Sequence, residues 1–285
     1  MRNFAVQEKC FSVKIKEVVS ALERFAPLPL QEDYDNAGLQ IGLTEAEVSG
    51  ALLCLDVNEA IVEEAVEKGC NLIISHHPLI FRKLRRITDE DYVQRTVYRA
   101  IQQGIAIVAM HTNLDKVMGG VNYKIAEKMQ LQEVRLIGHK QEAYPSIRDG
   151  LHEPLAVLGG EGVMGTLPEP MEAKCFINML KEKFGVACVQ ANALLLRPVR
   201  TVAICGGAGA MLLDEAIAQG ADAFVTGEMR YHEFFGHEQQ LQIAVIGHYE
   251  SEQYTNEIFK SILEELFPGI RCEKTNVNTN PIIYL

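Results

Sequence analysis

The chain has 285 residues, 48% of them hydrophobic and 23% charged, with a formal net charge of -11. That is enough apolar material for one large or two medium domains. The acidic balance argues against nonspecific nucleic-acid binding, and no uninterrupted apolar run approaches the roughly 18 residues of a membrane span. The seven cysteines are scattered and never spaced C-x-x-C, which argues against a disulfide framework and a thiolate zinc site. The opening stretch MRNFAVQEKCFSVKIK lacks the apolar core of a signal peptide, so a soluble cytoplasmic protein is expected.

In chain order, Val13–Phe25 has helical periodicity and stops at Pro27 and Pro29. The segment Asp33–Gly42, DYDNAGLQIG, is a glycine-containing loop running into a short strand. Strand Ala51–Val57, helix Glu59–Lys68, strand Asn71–Ser75, helix Tyr92–Gln103 and strand Ile105–Met110 follow. Apolar runs alternating with helices predict a mostly parallel sheet covered on both faces. A helix is expected over Val121–Met129, then an exposed connector, GHKQEAYPSIRDGLHEP, and a strand and turn in AVLGGEGVMGTLPEP. Helix Ala173–Phe184 leads into a second series: strand Val199–Cys205, helix Met211–Gln219, strand Ala221–Thr226, a helix around Tyr231–Gln240 and strand Ile243–Ile246. A helix over Tyr254–Leu266 and a terminal strand PIIYL complete the chain. The expected organisation is two pseudo-duplicated α/β lobes, 1–138 and 171–285, joined by a connector over 139–170.

Each lobe finishes its last strand on a histidine and a carboxylate four residues apart: His111 with Asp115, and His248 with Glu252. Such a pair lies on one face of a helix if one begins there. The first lobe also carries SHHP, Ser75 to Pro78. Neighbouring residues on a strand point to opposite faces, so His76 and His77 share a site only where the strand ends, and Pro78 imposes that end. Ligands of open α/β sheets bind beyond the carboxyl ends of the strands. Each pair alone also fits a core-satisfied imidazole or a surface carboxylate. Their convergence favours a borderline divalent metal such as zinc, iron, manganese, cobalt or nickel. Three histidines and two carboxylates exceed what one four-coordinate ion needs and suit two ions sharing a bridging carboxylate.

Three further features are ambiguous. The glycines of GGAGA, Gly206 to Ala210, either admit an anion at a helix N-terminus or allow close strand–helix packing. Glu228 and His232, in TGEMRYH, are candidates for general acid/base work or for ordinary surface pairing. The basic run Arg82-Lys83-Leu84-Arg85-Arg86 is either a solvated loop or an attractor for an anionic ligand near the site.

The blocks DNAGLQIG, SHHP, HTNLD, TGE-x-x-YH and GHYESE, in this order, resemble the signature of the NIF-three-like dinuclear metal-centre family, over roughly residues 12–285. Some members of that family are described as a type-two GTP cyclohydrolase. The resemblance implies two divalent metal ions per chain, held by His76, His77, Asp115, His248 and Glu252, with His111 contacting metal water or orienting a ligand. It further implies a toroidal homohexamer with the metal sites facing an internal cavity; many members carry an inserted extra domain between the lobes, for which the short connector here leaves no room. Two positions depart from the family pattern: Tyr34 stands where a tryptophan is usual, and Val163 where many members have arginine.

Two functions follow as expectations. One is a metal-dependent hydrolase, in its specific form a GTP cyclohydrolase attacking an electron-poor purine carbon, with His111, Glu228 or His232 moving protons. The other is a non-enzymatic metal-storage, metallochaperone or regulatory ring protein. A small anionic or nucleotide substrate fits the first; a membrane or nucleic-acid partner fits neither.

Overall fold

The computed structural model describes residues 12–145 and 155–285. The first eleven residues and residues 146–154 of the expected connector lie outside the described residues. In chain order the first lobe contains α1 (Ile15–Phe25), β1 (Gly38–Ile41), β2 (Ala51–Cys54), α2 (Glu59–Glu67), β3 (Leu72–Ser75), α3 (Tyr92–Gln102), β4 (Ala106–Ala109), α4 (Thr112–Lys116) and α5 (Val121–Lys128). The second contains β5 (Gln132–Ala143), β6 (Val157–Met171), α6 (Ala173–Phe184), β7 (Gln190–Ala191), β8 (Val199–Cys205), α7 (Leu213–Ala218), β9 (Ala223–Thr226), β10 (Gln242–Val245), α8 (His248–Glu252) and α9 (Thr255–Leu266). The chain then returns to the first lobe as β11 (Cys272–Lys274).

Local chemistry sets the element ends. Asn58 accepts from the Ile61 amide at 3.1 Å and Asp91 from the Gln94 amide at 2.8 Å, capping α2 and α3. Gly69, at φ +63°, takes the left-handed turn that lets the chain leave α2 and enter β3.

The strands form two sheets, ordered β1-β4-β3-β2-β11 and β5-β6-β8-β9-β10-β7. Each has a parallel core, β2-β3-β4 in one and β8-β9-β10 in the other. In both, the third parallel strand carries a short antiparallel edge, β1 on β4 and β7 on β10. The mixed α/β fold with two repeated lobes is therefore the one the sequence predicts.

Alternate residues of each strand face different layers, as the pleat requires. Leu53, Ile74 and Val108 face inward with Ile204 and Val225, and these pack with α1, α5, α6 and α9 into one core common to both lobes. Leu52, Ile73 and Ile107 face outward under α2 and α3. Ala203, Phe224 and Ile243 do the same under α7. The shared core fixes the carboxyl ends of the two parallel triplets relative to one another.

Several expectations need correction. The stretch expected to begin an exposed connector continues the strand β5 as far as Ala143, paired antiparallel to β6. Its polar sequence misleads because it is the outermost strand of the sheet, with a register shift between Ile137 and Lys140. The helix expected around Tyr231–Gln240 is a single 3-10 turn, Tyr231–Phe234, and Gly236 follows at φ +84°. The terminal PIIYL forms no strand; β11 supplies the last pairing, parallel to β2. Val163 is buried in the shared core.

Candidate metal centre

His76 and His77 leave the end of β3, where the ladder bonds hand over to loop bonds from the His76 amide to Cys54 O and from the His77 amide to Leu55 O. The two side chains are turned into one region and their ring centroids lie 4.9 Å apart. The short helices α4 and α8 follow β4 and β10 directly, so Asp115 and Glu252 come from the first helical turns after two strand ends.

The five residues meet between the lobes. Glu252 Oε2 lies 3.0 Å from His77 Nε2, 3.1 Å from His248 Nε2 and 3.6 Å from His76 Nε2. His76 Nε2 lies 3.6 Å from Asp115 Oδ1. Three groups of side chains have ligand atoms mutually within 4.8 Å: His77–His248–Glu252, His76–Asp115–Glu252 and His76–His77–His111. Glu252 belongs to the first two.

A metal fits this donor set on a specific observation. His76 Nε2 and Asp115 Oδ1 are buried with no hydrogen-bond partner. A buried polar atom left unpaired costs on the order of 1–3 kcal/mol, and a cation between the two would satisfy both. The His76 tautomer agrees, because its Nδ1–H donates to Met110 O at 2.8 Å and leaves the Nε2 lone pair facing Asp115. The charges of the cluster act strongly on one another. Burial and the nearby Glu252 push the Asp115 carboxyl up to about 7. Burial would raise Glu252 too, but His76, His248 and His77 hold it well below the ordinary range. Burial works to lower the pKa of His77, yet Asp56 and Glu252 raise it to about 10. In His248 Glu252 likewise overcomes burial and raises the pKa to about 9.

The outer contacts orient the candidate ligands. His77 Nδ1 bonds Asp56 Oδ1 at 2.7 Å, and Asp56 Oδ2 accepts from the Thr279 hydroxyl at 2.6 Å. His248 Nδ1 bonds Glu228 Oε1 at 2.9 Å. His111 Nδ1 bonds Asp35 Oδ1 at 2.7 Å, and Asp35 Oδ2 accepts from the Thr112 amide at 3.1 Å and from its hydroxyl. A carboxylate behind a ligating imidazole fixes its tautomer and raises its basicity. Sequence reasoning missed Asp35 and Asp56. The signal for Asp56 was its place two residues beyond β2, at the same sheet end as the histidines.

The other candidates are placed plainly. Glu228 is partly exposed and backs His248. His232 is exposed on its 3-10 turn with its ring against Tyr231 and Phe235. The GGAGA glycines serve packing: the Gly206, Gly207 and Gly209 amides donate to Asn122, Ser251 and Thr226 side chains rather than facing a ligand. Arg82, Lys83, Arg85 and Arg86 are exposed, and Arg86 pairs with Glu90 at 3.5 Å. The cluster opens into a cleft of about 400 Å³ lined also by Tyr34, Phe81, Lys116 and Glu161.

Comparison with known proteins agrees with this architecture. A Clostridium acetobutylicum protein named GTP cyclohydrolase 1 type 2 homolog is 30% identical over 243 residues, covering 85% of this chain and 86% of its own. A protein of the same name from Clostridium perfringens is 31% identical over 84% of this chain and 87% of its own. The crystal structure of a Staphylococcus aureus hypothetical protein superposes with a TM-score of 0.85 at 28% identity, over 96% of this chain and 100% of that one. A Bacillus cereus protein related to NIF3 shares the fold, with a TM-score of 0.80 at 24% identity over 96% of this chain and 99% of that one. Residues 13–281 match the family model Duf34/NIF3 (NGG1p interacting factor 3), and the chain belongs to that family.

Proposed function

We propose that this protein holds two divalent metal ions between its lobes and hydrolyses a purine nucleotide, with GTP cyclohydrolase as the specific activity. The observation that carries the reading is the pair of ligand triplets sharing Glu252, at the floor of an open cleft with two buried polar atoms lacking partners. His76, His77, Asp115, His248 and Glu252 are the proposed ligands. Ions bound there supply Lewis-acid chemistry and water activation.

The chain's own groups do the rest. Asp56 and Glu228 hold the His77 and His248 rings in position. Asp35 takes the Nδ1–H of His111, so His111 Nε2 is the nitrogen free to accept a proton at the cleft. Glu228 touches His248 and acts by positioning. A storage or metallochaperone role needs the same ligands but has no use for an oriented His111–Asp35 pair or an open cleft, and these favour the hydrolase. The names of the two clostridial relatives support the choice of GTP. We also propose that the protein works in the cytoplasm as a homohexamer of 31.7 kDa subunits, which light scattering tests.

Protein loaded with zinc, manganese or iron should release formate from GTP, and Glu252→Ala should abolish that release. Absence of formate with all three metals, while a Glu252-dependent hydrolysis of another substrate persists, overturns the cyclohydrolase. Full metal binding without any hydrolysis supports the storage role.

A further inference from the structure

Two aromatic rings stand at the mouth of the metal cleft with large exposed surfaces, Tyr34 at 66% and Phe81 at 44%. Exposed aromatic rings at the mouth of a cleft offer flat apolar faces for stacking. They are not isolated. The Phe81 ring centroid lies 6.3 Å from Tyr34 and 6.1 Å from His111, both edge-on, and His111 lies 5.3 and 5.4 Å from His76 and His77. A file of rings thus runs from the candidate ligands out to solvent.

The two rings come from separate loops that the chain ties together. The Asn36 side chain donates to Ile80 O at 2.6 Å, and the Ile80 amide donates to Gln40 Oε1 at 2.9 Å. Gln40 in turn donates to Asn36 O at 2.7 Å, and the intervening Asp35 is held by Thr112 next to His111. Tyr34 and Phe81 are therefore mounted on the same frame as the metal cluster, which is the preorganisation a ligand site needs. The cleft they border, about 400 Å³, falls within the roughly 300–1,000 Å³ of small-molecule sites.

From this geometry we infer that Tyr34 and Phe81 form a two-sided jaw, one ring stacking on the face of the ligand's planar heteroaromatic ring and the other meeting its edge, and so select a nucleobase for the metal site. The inference rests on the hydrolase reading for the identity of the ligand, but it concerns ring recognition and not bond cleavage. Phe81 is edge-on to His111, so a ring laid on Phe81 lies beside the proposed proton acceptor. Stacking on an aromatic side chain is worth about 1–3 kcal/mol per base, or about 5- to 150-fold in affinity. Both residues are specificity determinants and neither is a metal ligand.

The chain contains no tryptophan, so Tyr34→Trp introduces a single fluorescent reporter into the jaw. With metal-loaded protein, guanosine and GTP should quench that fluorescence and inorganic triphosphate should not. Adding Phe81→Ala, or Phe81→Leu, which keeps apolar volume without the ring, should raise the half-quenching concentration on the order of tenfold. Phe81→Tyr should restore it, and metal content per chain should stay at the wild-type value throughout. Quenching by triphosphate equal to that by guanosine, or no effect of removing the Phe81 ring, overturns the jaw. The two readings fail separately. Quenching without formate release refutes only the hydrolysis, whereas formate release with KM unchanged in Phe81→Leu refutes only the jaw.

Discussion

Replacing Gly207 by alanine tests whether Glu252 is the centre of the site. Gly207 follows β8 with φ +57°, and a Cβ there would collide with Glu252 Oε1 and come within 3.5 Å of His248 Cε1. Gly220 is the control: its φ is +78°, and an added Cβ meets nothing within 4 Å. An L-residue in the left-handed region costs roughly 1–2 kcal/mol, which both variants incur. Unfolding entropy of about 2.1 cal/mol/K per residue over 285 residues gives about 0.6 kcal/mol/K. The conformational term alone therefore lowers Tm by about 2–3 °C in each. Only Gly207→Ala also displaces the carboxylate that belongs to two ligand triplets. Disturbing groups next to a metal site typically costs 10–100-fold in affinity, so on the proposed reading metal binding should weaken at least tenfold. Thermal melts of metal-free protein measure the first effect, and chelator competition with metal counting per chain measures the second. If Gly207→Ala binds metal as tightly as Gly220→Ala, Glu252 is not at the centre of the metal site.

Asp56→Asn should weaken metal binding by about 10–100-fold, because the amide is a poorer partner for His77 Nδ1; Thr279→Val should act in the same direction and less strongly, and chelator competition ranks the two. His232→Ala should leave metal stoichiometry unchanged, since the ring packs on Tyr231 and Phe235 outside the cluster; loss of metal in this variant would contradict its placement. Glu64 anchors the returning C-terminal segment, accepting from the Thr275 hydroxyl and from the Asn276 amide at 2.8 Å. Burial raises its pKa, but Thr275, Asn276 and Lys68 outweigh this and hold it below the ordinary 4.5. A depressed carboxyl stabilises the fold above its unfolded pKa and loses that contribution as pH falls through the folded value. The Tm gap between wild type and Glu64→Gln should accordingly be full at pH 7 and close below about pH 4.5; a gap independent of pH would show that the charge contributes nothing.

What could be read from the sequence followed from burial. The inner strands of both triplets are buried on both faces, so they appear as short apolar runs, and the helices between them carry recognisable caps at Asn58 and Asp91. Pro78 marked the strand end that brings His76 and His77 together. Elements with one face in solvent were harder to read: β5 looks like a polar loop, and β7 is only two residues long. The outer carboxylates Asp35 and Asp56 were missed because neither stands beside a histidine in sequence, their partners being 76 and 21 residues away, and only the place of Asp56 just beyond β2 pointed to the site. His111 and His248 looked equivalent because each precedes a carboxylate by four residues. The backbone places them one step apart, with His111 before the first residue of α4 and His248 as the first residue of α8.

That one-step offset explains how a repeated scaffold builds an unsymmetrical site. Cys54, Ser75 and Ala109 lie side by side in the last row of the first parallel triplet, and Cys205, Thr226 and Val245 in the last row of the second. Counting onward from those rows, Asp56 corresponds to Gly207, His76 to Gly227 and His111 to Gly247. At all three positions the first lobe supplies a side chain to the cluster or its support and the second has a glycine, and at two of them, Gly207 and Gly227, the glycine leaves room beside the cluster. A Cβ at Gly207 would strike Glu252, and one at Gly227 would come within 2.9 Å of His248 Cα and 2.8 Å of Ser251 Oγ. Side chains at Gly207 and Gly227 would therefore press on the residues that carry Glu252 and His248, whereas one at Gly247 would meet Glu250 outside the cluster. Gly207 and Gly227 are therefore part of the second lobe's contribution to the site: they let α8 approach closely enough for Glu252 to lie 3.0 Å from His77 Nε2.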